Sequence, residues 1–83
     1  MPESNCPLLE RVARVLAGAK LSANAEGENG HAAAEVDRTW RDHLNQAQAV
    51  LHTMREPDEA MAAAGDASIW RAMVEAAITQ KVG

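Results

Sequence analysis

Three histidines and one cysteine are the residues of this chain best suited to bind a metal or act as a nucleophile, and their spacing argues against both uses. His31 and Glu35 are four apart and could share a helix face, but His31 sits at the edge of a loop. His43 and His52 are nine apart, and nine steps of about 100° leave them on opposite sides of a helix. There is no H-E-x-x-H pattern and no second cysteine. His43 borders an apolar stripe and reads as a packed or interfacial side chain, whereas His52 reads as solvated. Cys6 would need a base and an orienting group beside it, and the sequence pairs it with neither. The acids Glu56, Asp58 and Glu59 could form an acid–base pair. They also complement the dipole at a helix start, which is reason enough for their presence. The segment Glu26-Gly27-Glu28-Asn29-Gly30 is not a phosphate-cradling fingerprint and joins no strand to a helix. No catalytic residue, metal or cofactor is expected, and a non-enzymatic role follows.

The elements that carry these residues are helical. The spacing predicts a first helix over Pro7 to Lys20, capped by Ser4 or Asn5. Leu8, Leu9, Val12, Val15, Leu16 and Ala19 form its apolar face, with Glu10, Arg11 and Arg14 opposite. Leu21 to Gly30 read as a flexible loop, with the loop region ending by about residue 32. This loop would let the first helix dock on its own core or cross to a neighbouring subunit. Val36, Trp40, Leu44, Ala47, Leu51 and Met54 then recur at 4/3 spacing along one stripe, the mark of a long second helix. The stripe reads as a core face, the alternative being a weak coiled-coil seam. Pro57-Asp58-Glu59 opens a short helix to Ala64, which Gly65 should close in the left-handed conformation. Asp66 caps the last helix, which runs from Ala67 to about Lys81.

In that last helix Ile69, Trp70, Met73, Val74 and Ala77 cover one broad arc, widened by Ala72, Ala76 and Ile78. Only Arg71, Glu75 and Thr79 form a polar strip. A helix apolar round most of its circumference is usually buried on more than one side. The expected fold is therefore a single all-α domain, a small bundle or orthogonal array of three longer helices and one short one. Self-association is expected to cover the surplus face. Eighteen alanines among 83 residues, with no Phe or Tyr, leave little large apolar surface for a core, and a second copy or a partner would supply more.

Charge and length narrow the partners. A formal charge of −4 argues against nucleic acid and against an anionic membrane surface. No apolar run approaches the roughly 20 residues of a membrane span, no secretory signal is evident, and the cytoplasm is the expected location. One cysteine excludes an internal disulfide framework.

Trp40 and Trp70 read first as core anchors and second as binding hot spots, with Arg41 and Arg71 at the edge. Trp40, Met54, Trp70, Arg71, Met73, Val74 and Ile78 are the candidate interface or pocket residues. The leading function is a helical interaction or accessory protein. One alternative is a helix-turn-helix-like DNA-associated regulator, although its recognition helix would carry only Arg71 and Lys81 as cations. Another is a small-molecule binder with a pocket between Trp40, Met54, Trp70 and Met73.

The pattern E-R-V-A-R, W-R-D-H-L, R-E-P-D-E-A-M and W-R-A-M, which spans nearly the whole chain apart from the 21–34 region, resembles a group of small hypothetical proteins. They occur in bacterial genomes and in phages or prophages. The resemblance implies an intracellular protein of bacterial or phage-related origin, and it carries no activity, ligand or catalytic residue across.

Overall fold

The computed structural model describes residues 5–25 and 32–82. They form five α-helices, α1 (Leu8–Ala25), α2 (Ala32–Thr39), α3 (Leu44–Met54), α4 (Glu59–Ala64) and α5 (Ala67–Thr79), with a 3-10 turn at Trp40–His43 between α2 and α3. Because α2, the turn and α3 run on without a gap, the fold is all-α with three longer helical segments and one short one. No strand occurs among the described residues.

Small side chains set how closely these helices approach. The buried core comprises Leu9, Ala13, Ala17, Trp40, Ala47, Leu51, Val74, Ala77 and Ile78. Four of these are alanines, which contribute little area but let neighbouring backbones come close. α1 packs on α2, the 3-10 turn and α3, while α5 packs mainly on α3 and more lightly on α1. α3 therefore lies between the two outer helices.

The inward face of α1 differs from the one expected. Leu9, Ala13 and Ala17 are buried, Leu8, Val12 and Leu16 are only half-buried, and Val15 is 69% exposed. The buried line lies about a quarter turn from the predicted face at 100° per residue. The side with the largest apolar groups is not the side that allows closest approach. Gly18 faces α2 across this approach, where an added Cβ would lie in ordinary contact with Val36 Cγ2 at 3.7 Å.

α1 also continues past Lys20 to Ala25, where a loop was expected. Leu21-Ser22-Ala23-Asn24-Ala25 contains two alanines and neither Gly nor Pro, so nothing in its composition stops the helix. The remainder of the expected loop, residues 26–31, lies outside the described residues, as do Ser4 and His31.

The second predicted helix is broken at the 3-10 turn, although its apolar stripe does face inward. Trp40, Ala47 and Leu51 are buried, and Val36, Leu44 and Met54 are half-buried. Thr39 leads into the turn with φ −115° and ψ −6°, and its hydroxyl donates to the Glu35 carbonyl at 2.7 Å. In a 3-10 turn residues i and i+3 eclipse, which places His43 on the same side as Trp40. Both are buried, at 9% and 2% exposure. The His43 ring is satisfied by a 2.7 Å hydrogen bond between Nδ1 and Gln46 Oε1. His52 is exposed.

Two caps set the remaining boundaries. Asp58 accepts from the Met61 amide at 2.9 Å and is the N-cap of α4, so Pro57 stands before the helix rather than in its first turn. Gly65 ends α4 with φ −156° and ψ −157°, an extended conformation and not the left-handed one expected. An extended residue suits the chain here because Asp66, also extended, begins the next helix at once. The Asp66 carboxylate accepts from Ser68 N at 2.8 Å and Ile69 N at 3.1 Å. Replacing it by alanine leaves both amides without a side-chain partner. Asp66→Ala is expected to lower stability by about 1 kcal/mol in urea unfolding, and an unchanged midpoint would show the cap to be idle. α5 ends at Thr79, two residues before the expected Lys81, with Gln80 already extended.

Candidate interaction surface

α5 is held on α3 by polar contacts at both ends of their shared face. Near its start, Trp70 Nε1 donates to the Met54 carbonyl at 2.6 Å. That acceptor lies in the last turn of α3, where carbonyls lack intrahelical partners. Near its end, Gln48 Nε2 donates to the Ile78 carbonyl at 3.1 Å. Arg55 pairs with Glu75 at 3.0 Å, and Arg71 grips both oxygens of Glu56 through Nε at 3.3 Å and Nη2 at 3.1 Å. All four groups of these two ion pairs are substantially exposed, so they orient the helix more than they stabilise it.

With that orientation fixed, Val74, Ala77 and Ile78 turn inward and Trp70 is half-buried. The rest of the apolar arc turns outward. Ile69 is 58% exposed and Met73 64% exposed, while Ala72 and Ala76 beside them are exposed as well. At 100° per residue the apolar arc of α5 covers about 240°, and the buried residues occupy less than half of it. The helix therefore carries two apolar faces, one in the core and one in solvent.

The outward face borders two grooves. The first, of about 410 Å³, lies between α4 and α5 and includes Pro57, Met61, Ala64, Ile69, Trp70 and Met73 in its lining. Met61 is itself 40% exposed. The second, of about 630 Å³, runs along α5 past Leu8, Val74, Ala77 and Gln80. Trp70 and Met73 line both, so the grooves join into one strip along the helix. Methionine suits such a surface, because its flexible thioether adapts to different apolar partners.

Comparison with protein-family models, curated proteins and solved structures finds no match.

The candidate residues thus divide. Trp70, Met73 and Val74 meet along the strip, with Val74 at its buried edge. Arg71 is occupied by Glu56, and Ile78 is buried in the core. Trp40 and Met54 line neither groove, so these two grooves do not join the two tryptophans in a shared pocket. Trp40 instead lies beneath two cations, Arg14 at 5.1 Å and Arg41 at 4.3 Å from the ring centroid. The Arg14 guanidinium donates to Asp37 and to Glu10, and these hydrogen bonds, Asp37's first, raise its pKa above the ordinary value. Met61 and Ile69 were not among the sequence candidates. The signal for Ile69 was present in the surplus apolar arc, whereas that for Met61 depends on how α4 folds beside α5.

For the chemistry considered at the outset, no three His, Cys, Asp or Glu side chains among the described residues are grouped to hold a metal ion. Cys6 is half-buried. No helix among the described residues is long and apolar enough to cross a membrane.

Trp70→Ala is expected to cost about 2–3 kcal/mol, below the range for a fully buried tryptophan, because the side chain is only partly buried against the core. The loss combines missing area with the orphaned Met54 carbonyl. Trp70→Phe should recover the area and not the hydrogen bond. Equal midpoints for these two variants in denaturant would sink this account.

Proposed function

We propose that this chain is a non-enzymatic interaction protein that works through the solvent-facing apolar strip of α5. The observation carrying this reading is the exposure of Ile69 at 58% and Met73 at 64% beside Trp70, on a helix whose other face is already buried. Large apolar side chains grouped in this way mark contact surfaces more often than scattered ones do. Self-association is one form of the role, and binding of another protein is the other.

Light scattering over a range of concentrations, on the wild type and on Met73→Glu, separates these forms. Because Met73 is exposed, the substitution is expected to change stability by no more than about 0.5 kcal/mol. A wild-type dimer that Met73→Glu dissociates would place a second copy on the strip. A wild-type monomer would leave the strip for another protein. A dimer indifferent to Met73→Glu would move the interface elsewhere and overturn the reading.

A further inference from the structure

The charge around the α4–α5 groove distinguishes between partners for the strip. From Arg55 to Glu75 the sequence has five acids, Glu56, Asp58, Glu59, Asp66 and Glu75, against two cations, Arg55 and Arg71. Both cations are already engaged, Arg55 by Glu75 and Arg71 by Glu56. Asp58, Glu59 and Asp66 are left in surplus, all exposed, and Asp66 lines the groove itself. The Arg55–Glu75 segment therefore carries −3 of the chain's formal charge of −4.

We propose that the α4–α5 groove takes a basic amphipathic helix from another protein, an inference that rests on the interaction role above. Apolar anchors spaced i, i+3 or i+4, and i+7 would enter between Met61, Ile69 and Met73. Lys or Arg beside those anchors would meet Asp66 in the groove lining and the negative charge of Asp58 and Glu59 at the start of α4, where complementary charge gives specificity and speeds encounter. The α5 wall of this groove runs from Ala67 to Met73, about 10 Å, enough to support about two turns of a partner helix and so anchors from i to i+7. A second copy fits less well, since a two-fold pairing would set the same acidic rim against itself.

Two labelled peptides of about 16 residues test this by fluorescence anisotropy on the intact chain. Both carry Leu at the anchor positions, one with Lys and the other with Glu on the remaining face. The Lys peptide is expected to bind at least about tenfold more tightly at 0.1 M salt, with the gap narrowing at 1 M as screening shortens the reach of the charges. The double variant Ile69→Ser, Met73→Ser, which leaves the charge unchanged, should lose the binding while keeping the wild-type circular dichroism.

Equal affinity for both peptides, lost in the double variant, would overturn the basic-helix proposal and leave the interaction role standing. A wild-type dimer dissociated by Met73→Glu would do the same, assigning the groove to a second copy. Lys-peptide binding that survives the double variant would overturn the proposal by showing contact through charge alone. Failure of both peptides to bind a monomeric wild type would overturn the basic-helix proposal and leave the interaction role to a partner that is not a single amphipathic helix.

Discussion

Trp40→Ala is expected to destabilise the chain by about 3–5 kcal/mol, the largest loss expected from a single substitution here. Trp40 is 2% exposed at the corner where the 3-10 turn meets α1. α1 contributes Ala13 and Ala17 to the same core cluster, and side chains this short can do little to fill the space left behind. The cavity would therefore persist. Arg14 and Arg41 would also lose the ring face they lie over, a further contribution of the cation–π kind. Domains are commonly stable by only about 5–15 kcal/mol, so much of the population could unfold at ordinary temperature. Urea unfolding followed by circular dichroism measures the effect, with Trp40→Phe expected to recover most of the loss. A cost below about 1 kcal/mol would mean that the corner is not a packed part of the core.

Leu51→Ala is expected to cost about 2–5 kcal/mol for a different reason. Leu51 is 0% exposed on α3, the helix that contacts both α1 and α5. Removing its branched end opens space in the core that joins the outer helices, so the loss should appear as one cooperative transition. Chemical unfolding monitored separately by circular dichroism and tryptophan emission tests this. Two non-coincident curves would show that α5 can detach while α1 and α3 stay together. Leu51→Met keeps nearly the same volume and is expected to cost less than about 1.5 kcal/mol.

Local signals were legible where local chemistry decides the outcome. Asp66 stands immediately before an apolar-periodic run, and its carboxylate does receive the Ser68 and Ile69 amides. The stripe from Val36 to Met54 could be read because each of its members packs inward. Features that depend on distant parts of the chain were not readable. Thr39 and Trp40 include neither Gly nor Pro to announce the 3-10 turn, and it is the joint burial of Trp40 and His43 that accompanies the change of helix. Hydrophobic periodicity pointed α1 toward its largest side chains, while backbone approach favoured Ala13 and Ala17. A partner such as Asp37, which meets Arg14 at 2.6 Å across 23 positions, leaves no mark in spacing.

The candidate surface was legible to the same extent. The surplus apolar arc of α5 was visible as a count of residues round the helix, and Met73 belonged to it. Its separation into a buried and a solvent-facing part follows from how Trp70 and Arg71 are held by Met54 and Glu56, which periodicity does not encode. For the same reason no pattern could say that Trp40 would line neither groove.

The two walls of the α4–α5 groove differ in stiffness. α5 is anchored by Val74, Ala77 and Ile78, whereas α4 is six residues long and buries none of them. A segment with no buried side chain can open at far less than the global unfolding free energy. Pro57 and Gly65 bound that segment, so its fluctuations need not travel into the core. The groove thus has one hard jaw and one soft jaw, and its width is governed by a local equilibrium largely independent of the stability of the fold. Tightening α4 by substitution would trade the range of shapes the groove accepts for strength on the one shape it then favours.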